Sequence, residues 1–371
     1  MNRVLRIIEP NLTGNAGHYG EFIRCLAERS DGLFDRIEVH GGTGSASLEL
    51  LNHPSIRVAE TFGQGSPGEA RILRDFAGDP STPCLVLTAK SQHAVLAQIA
   101  ALGGATLDHL RLYVHWKERA LFQRMLVLLA PAARRGCRVI TPVESTATYL
   151  RRQGWHRVEY VPYPVLAPRH VPPHEPRPAR FLVAGAARMN KGLQLVADVA
   201  QRMDRLDPQI PLLVQTTGKR SGRQGAAEAE QLKRLARSNG AVQLDATPPG
   251  REEYSRRFAG AIVLTPYDPI KFADNVSGVA LDALLHGAPI IATAGTWQAG
   301  LIQRFGCGVI MNRWTSEALA DAMSVAAAEW TALSTHAREA SRVLALEHDP
   351  RHAVAALHRP HHRAGRDSLT A

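Results

Sequence analysis

The sequence predicts an α/β protein made of two doubly wound, Rossmann-like domains. Three observations carry that prediction. Short β-branched runs alternate with helical patterns along almost all of the 371 residues, the signature of parallel sheets covered on both faces. The alternation is interrupted at residues 162–178, PYPVLAPRHVPPHEPRP, whose seven prolines favour an extended, semi-rigid backbone. The length is more than twice the ~150 residues of an average domain.

In the first half the expected strands are Val4–Glu9, Arg36–His40, Ile56–Ala59, Cys84–Thr88, Leu110–His115, Arg138–Thr141 and Val158–Val161. Each is a short apolar run bounded by turn residues or charge. Helical periodicity fills most of the gaps, at Tyr19–Arg29, Gly68–Phe76, Ser91–Ala101, Glu118–Ala130 and Glu144–Arg152. Beyond the prolines the pattern restarts with strand Phe181–Ala184, helix Leu193–Met203, strand Leu212–Gln215, helix Ala226–Arg237 and strand Val242–Leu244. It continues with helix Glu252–Phe258, strand Ala261–Leu264, helix Gly278–His286, strands Pro289–Thr293 and Gly308–Met311, and a long helix from Ser316. The expected domains are 1–170 and 171–345. A tail, 346–371, either ends as a solvated His- and Arg-rich segment (His358, His361 and His362 lie close together) or returns to the amino-terminal domain. Two such sheets leave a cleft between their carboxyl-end loops, where ligands of α/β proteins bind.

Composition narrows the function classes. Apolar residues make up 45% and charged ones 21%, which excludes a largely disordered or collagen-like chain. The net charge of +10 is spread over both halves, so no basic tail points to nucleic acid; a diffuse positive field suits anionic small molecules or an anionic membrane. Cys25, Cys84, Cys137 and Cys307 form no C-x-x-C pair, so neither a zinc site nor a disulfide framework is indicated and a reducing compartment is expected. The start, MNRVLRIIEP, meets an acid and a proline too early for a signal peptide. The longest apolar run, Met125 to Ala133, falls far short of the ~20 residues of a membrane span. The expectation is a cytoplasmic protein.

The most informative stretch runs from Thr265 through Asp274-Asn275-Val276-Ser277-Gly278 to Asp282 and Gly287-Ala288-Pro289. A strand ends, a loop follows, and a helix opens near Ser277-Gly278. The unpaired N–H groups of that first turn form an anion site. Ser277 either caps the helix or turns its hydroxyl to a phosphate, and Gly278 lets a ligand approach the backbone. Asp282 lies on the same helix face as Gly278, about 6 Å further along, where it would meet the ribose of a nucleotide diphosphate; the competing expectation is a carboxylate paired within the fold. Arg188 and Lys191 follow a strand in a loop closed by Gly192, so both cations could neutralise a leaving diphosphate.

These residues resemble the conserved acid–helix region of family-four glycosyltransferases with the GT-B fold, E-G-F-G-x-x-x-x-E-A-x-x-x-G-x-P-V-V-A. The agreement extends to Phe181-Leu-Val-Ala-Gly-Ala-Ala-Arg188-Met-Asn-Lys191-Gly192, to Ile140 through Val165, and to the glycine-rich first loop Gly14-Asn-Ala-Gly17-His-Tyr-Gly20. It is strongest over residues 181–311. Both glutamates of the pattern are aspartates here, and Asn275-Val276-Ser277-Gly278 replaces Gly-Phe-Gly.

The resemblance implies two Rossmann-like domains facing across a cleft and transfer of a sugar from a nucleotide-diphosphate donor to a glycan or lipid-linked acceptor. It further implies retained configuration and no metal or other cofactor. Asp274 would hold donor-sugar hydroxyls, His115 a hydroxyl near the reacting carbon, and Arg188 and Lys191 the leaving group. Asp282 would hold the ribose, with Gly17, Asn275, Val276, Ser277 and Gly278 completing the donor site. His18 and Lys117 are weaker candidates. The shortened acids keep two alternatives open: a nucleotide- or glycan-binding protein without turnover, and a nucleotide-sugar epimerase.

Other motifs carry less. The first loop lacks the G-x-G-x-x-G of a dinucleotide site, Gly42-Thr-Gly44-Ser-Ala-Ser47 reads as an ordinary strand–helix turn, and Gly218-Lys219-Arg220-Ser221 lacks the leading glycine of a P-loop. In Glu118–Arg135 a leucine-rich centre is flanked by Arg119, Arg124, Arg134 and Arg135. Two expectations compete there, core packing of an ordinary helix and peripheral docking on anionic lipid at the inner face of a membrane.

Overall fold

The computed structural model describes residues 3–13, 19–48, 51–62, 67–118, 120–171, 173–201, 210–216, 222–237, 241–247 and 249–359. The chain forms two compact units. Unit 1 comprises residues 1–164 and 350–371, and unit 2 comprises residues 165–349.

Unit 1 contains β1 (Val4–Glu9), α1 (Tyr19–Glu28), β2 (Arg36–Gly42), β3 (Ile56–Phe62), α2 (Pro67–Ala77), β4 (Cys84–Val86), α3 (Ser91–Leu102) and β5 (Leu110–Tyr113). It continues with α4 (Leu121–Leu128), α5 (Pro131–Gly136), β6 (Arg138–Thr141), α6 (Glu144–Arg152) and β7 (Val158–Tyr160). The strands form one seven-stranded sheet in the order β3-β2-β1-β4-β5-β6-β7, parallel throughout. Strand order reverses between β1 and β4, the point at which ligands of doubly wound sheets bind. Residues of β4, β5 and β6 are buried along almost their whole length, as expected of strands covered on both faces.

In unit 2 the elements are β8 (Arg180–Val183), α7 (Leu193–Ala200), β9 (Leu212–Gln215), α8 (Gly222–Ala236), β10 (Val242–Asp245), α9 (Arg251–Arg257), β11 (Ala261–Thr265) and α10 (Gly278–Leu285). They continue with β12 (Ile290–Thr293), α11 (Trp297–Phe305), β13 (Gly308–Met311), α12 (Ser316–Ala328) and α13 (Trp330–Glu347). The six strands run parallel in the order β10-β9-β8-β11-β12-β13, with their reversal between β8 and β11. β11 and β12 are buried at every position. Phe181, Leu212, Leu264, Ile291, Met323 and Trp330 belong to the core of this unit. A final helix, α14 (Pro350–His358), belongs to unit 1.

Three helical expectations need correction. The helix expected at Glu118–Ala130 begins at Leu121 and stops at Leu128, because Pro131 restarts the chain as α5 and excludes helical backbone at the preceding Ala130, which has φ −116 and ψ 59. The stretch from Ser316 is three helices, broken at Glu329 and before Pro350. Between the last two strands lies α11, absent from the sequence reading because Gly300 interrupts a short apolar run; Thr296, whose hydroxyl accepts from Ala299 N, and the left-handed Gly306 mark its ends.

The proline-rich segment divides between the units at Pro164–Val165. Its second half is fastened to unit 2: Val165 N donates to His348 O at 3.0 Å and Trp330 Nε1 to Glu175 O at 2.8 Å. All four cysteines are buried, and burial pushes the Cys84, Cys137 and Cys307 thiols up to about 12. None of these three is a reactive thiolate at neutral pH.

Candidate functional site

The carboxyl edge of the second sheet, at the β8/β11 reversal, collects the residues singled out in unit 2. β8 ends at Val183 and the chain turns through Gly185, whose φ is +74; Gly185 N donates to Gln215 Oε1 at the end of β9 at 2.9 Å. It then passes Arg188, makes a 3-10 turn over Met189–Lys191, and enters α7 through Gly192 at φ +79. Glycine is required at 192: a Cβ there would lie 2.2 Å from Pro266 O at the end of β11. The β8 loop is thus pressed against the β11 loop, an approach also held by Asp268 N donating to Asn190 O at 3.0 Å.

Lys191 is brought to the start of α10. A Cβ on Gly185 would lie 3.9 Å from Lys191 Nζ and 3.3 Å from Val279 Cγ2 in the first turn of α10. The ammonium and the first turn of the helix therefore both approach Gly185, whose lack of a side chain permits the close packing. Lys191 Nζ also sits 5.4 Å from the centroid of the buried Tyr267 ring, an arrangement that holds a cation without neutralising it. At α10, Ser277 caps the helix, its hydroxyl accepting from Ala280 N at 3.2 Å. A Cβ on Gly278 would meet nothing within 4 Å, so the first helical residue faces open space. The positive end of the helix and the lysine add their fields at the same place.

Arg188 is half-buried and caps the 3-10 turn; its carbonyl accepts from Lys191 N and Leu193 N. Asp274 and Val276 are half-buried in the loop before α10, and Asn275 Nδ2 donates to Lys271 O at 2.8 Å. Asp282 is half-buried one turn into α10, and its Oδ2 accepts from the Tyr254 hydroxyl on α9 at 2.9 Å. One partner within the fold is thus a phenol. His286, at the end of α10, donates Nδ1–H to Asp282 O at 2.7 Å, stacks on Phe258 and is held below the usual imidazole range by burial.

In unit 1, Gly17 and His18 lie outside the described residues. His115 follows β5 and is buried. Its Nε2 lies 2.9 Å from Leu87 O beyond β4, and a donating Nε2–H leaves Nδ1 as the acceptor nitrogen of the neutral ring. Its ring centroid lies 4.7 Å from that of Tyr113 and 5.5 Å from that of Trp116. Lys117 Nζ donates to Ser145 Oγ at 3.3 Å.

Sequence reasoning missed a polar group at the β1/β4 reversal. Glu9 is fully buried at the end of β1. It accepts from the Thr88 hydroxyl and from Asn11 N and Nδ2, each at 2.8 Å from Asn11. Burial raises its carboxyl above the usual range, opposed by those hydrogen bonds and by His93. Nearby, His93 accepts from Lys90 N on Nδ1 at 2.9 Å and faces Glu69 Oε1 with Nε2 at 2.7 Å, both side chains being buried. The sequence signal was a lone acid closing an apolar strand at Glu9. For Tyr254, Gln215 and Tyr267 no local signal exists, because each reaches the site from a separate element.

No known family model matches the chain, and no curated protein sequence matches it. Solved structures do. Sucrose-phosphate synthase from Thermosynechococcus elongatus superposes with a TM-score of 0.70 at 15% identity, covering 95% of this chain and 96% of that one. HepE from Anabaena, solved with UDP-glucose, gives 0.69 at 15% identity over 95% of this chain and 98% of that one. A glycosyltransferase from Rickettsia africae gives 0.71 at 11% identity over 96% and 99%. With two all-parallel, doubly wound sheets and these neighbours over nearly its full length, the chain has the GT-B fold.

Proposed function

We propose that the protein is a glycosyltransferase that moves a sugar from a nucleotide-diphosphate sugar to a glycan or lipid-linked acceptor, with retention of configuration and without a bound metal. The observation that carries this reading is that Lys191 Nζ and the first turn of α10 both approach Gly185, while Gly278 at the helix start faces open space. A pyrophosphate at the open helix start by Gly278 would take hydrogen bonds from helix amides and charge from Lys191 and Arg188. The fold neighbour HepE, solved with UDP and UDP-glucose, makes a uridine nucleotide the first donor to test.

In the reaction the bond between the anomeric carbon and the diphosphate oxygen breaks, and its electron pair leaves with the nucleoside diphosphate. The acceptor hydroxyl oxygen forms the new bond to that carbon and gives up its proton to the departing diphosphate oxygen, which has gained the electron pair. Negative charge grows on the leaving oxygen as this happens, so a fixed cation and aligned amides stabilise the transition state more than the ground state. Asp274 binds donor-sugar hydroxyls. Asp282 binds the ribose with one face of its carboxylate steadied by Tyr254, and Asn275, Val276, Ser277 and Gly278 line the diphosphate. We assign the acceptor to unit 1, at the carboxyl edge of its sheet beside His115.

Screening UDP, GDP, ADP and their sugars by thermal shift finds the donor. Lys191→Ala then lowers the transfer rate by about a hundredfold, while Asp282→Ala weakens nucleotide binding by about 1–3 kcal/mol. Wild-type kinetics in Lys191→Ala would sink the assignment. The two aspartates at positions where the resembling family has glutamates favour a second reading, a nucleotide- or glycan-binding protein without turnover. Saturable binding with no transfer and no slow donor hydrolysis selects it.

A further inference from the structure

The surface of unit 1 carries an inverted helix. No residue of α4 is buried. Leu121, Phe122, Met125, Leu128 and the adjoining Leu129 are 72, 69, 53, 52 and 71% exposed. At about 100° per residue these five fall within an arc of roughly 120°, one continuous apolar stripe. A helix of an ordinary α/β protein turns such a stripe inward; here Val127, on the other side, packs toward the core, and the stripe faces solvent. The core-packing expectation for this segment therefore holds at Val127, Ala130 and Ala133 and fails for the stripe. The neighbouring helix α3 adds Ile99 and Leu102, one turn apart and 57 and 79% exposed. Contiguous apolar surface of this kind marks an interaction site.

Charge identifies the partner. Residues 119–143 hold five arginines and no acid. Arg124 is exposed and rotated only about 40° from Leu128 around the helix, with its guanidinium 5.6 Å from the centre of the Tyr149 ring. Arg135 is exposed on α5. Trp116, 38% exposed, lies just before the helix and is of the residue type enriched at membrane interfaces. The acids that flank this stretch in sequence are occupied: Glu118 accepts from Ser91 N at 2.7 Å, and Glu144 pairs with Arg151 at 3.1 Å. An apolar stripe bordered by cations and free of carboxylates matches an acyl-chain boundary beneath anionic headgroups.

We infer that α4, with the exposed end of α3, docks the protein on the surface of an anionic lipid bilayer, Leu121, Phe122, Met125 and Leu129 entering the acyl boundary and Arg124 and Arg135 meeting phosphate headgroups. The inference does not rest on the nucleotide site, which lies in unit 2.

Flotation of the full-length protein with vesicles tests it. Vesicles of equal parts phosphatidylglycerol and phosphatidylcholine carry the protein upward at low salt and release it at high salt, whereas pure phosphatidylcholine vesicles leave it behind. Phe122→Ser combined with Leu129→Ser abolishes flotation. Arg124→Gln combined with Arg135→Gln lowers partitioning about 30-fold, from about a kcal/mol per cation. These side chains are exposed, so unchanged thermal melting confirms that the variants fold. No flotation, or equal flotation on both vesicle types, overturns the inference. So does a concentration-dependent dimer that Phe122→Ser/Leu129→Ser dissolves while vesicles remain unbound.

Discussion

Glu9 shows how a single residue at the strand reversal sets a pH dependence. Its carboxyl is raised by burial in the folded chain, so the folded state binds its proton more tightly than the unfolded state does. Stability from this group is complete below the ordinary carboxylate range and is lost as pH rises through the higher folded value. Glu9→Gln keeps an acceptor for Asn11 and removes the buried charge. The variant is expected to lose that fall in stability and to match or exceed the wild type at neutral pH; urea melts from pH 4 to 8, on a scale bracketing the usual ~4.3 of glutamate, measure it. Gly192 gives a second prediction. With φ +79 and Pro266 O standing where a Cβ would go, Gly192→Ala costs about 1–3 kcal/mol and shifts Lys191, so nucleotide affinity falls along with the melting temperature. The glycine was legible as the end of R-x-x-K-G; the carbonyl that enforces it was not, because Pro266 is remote in sequence.

Elements repeat the contrast. Strands buried on both faces are plain in a sequence, since Ala261–Thr265 and Ile290–Thr293 are apolar runs closed by a threonine, and both sheets follow from their alternation with helices. The start of α10 was legible for the same local reason: Ser277 caps and Gly278 opens the first turn. Ser277→Ala is expected to cost about 1 kcal/mol of stability, and more in the presence of a bound nucleotide if the helix start holds the diphosphate; paired melts with and without ligand separate the two contributions. Periodicity finds an apolar stripe but not the side it faces. That is why α4 could be read as core, and why only the packing of Val127 against unit 1 distinguishes the exposed stripe from an ordinary one. The polar partners of the site, Tyr254 on Asp282 and Gln215 on Gly185, arise from topology and leave no local mark.

At the scale of the molecule, the chain's last described helix does not stay with the unit that precedes it. Unit 2 is continuous, residues 165–349, whereas unit 1 is completed by the returning segment. α14 buries Ala353, Val354, Ala356 and Leu357 and packs against α1; the His358 ring meets Phe34 edge-on at 5.8 Å. The buried Arg111 reaches Arg359 O at 3.3 Å, so removing the segment also strips a partner from a guanidinium already held below its ordinary range, to about 10, by burial. Deleting residues 350–371 uncovers Val354 and Leu357, worth about 1.5–3 kcal/mol each, and leaves an under-satisfied buried cation. The consequence should fall on one unit. In the truncated chain, hydrogen exchange is expected to accelerate in α1, β1 and β5 while α10 and β11 keep their protection, and nucleotide binding should survive because Lys191 and α10 belong to the intact unit. Uniform loss of protection across both sheets, or loss of nucleotide binding with unit 2 still protected, would show that the return of α14 supports more than the first core.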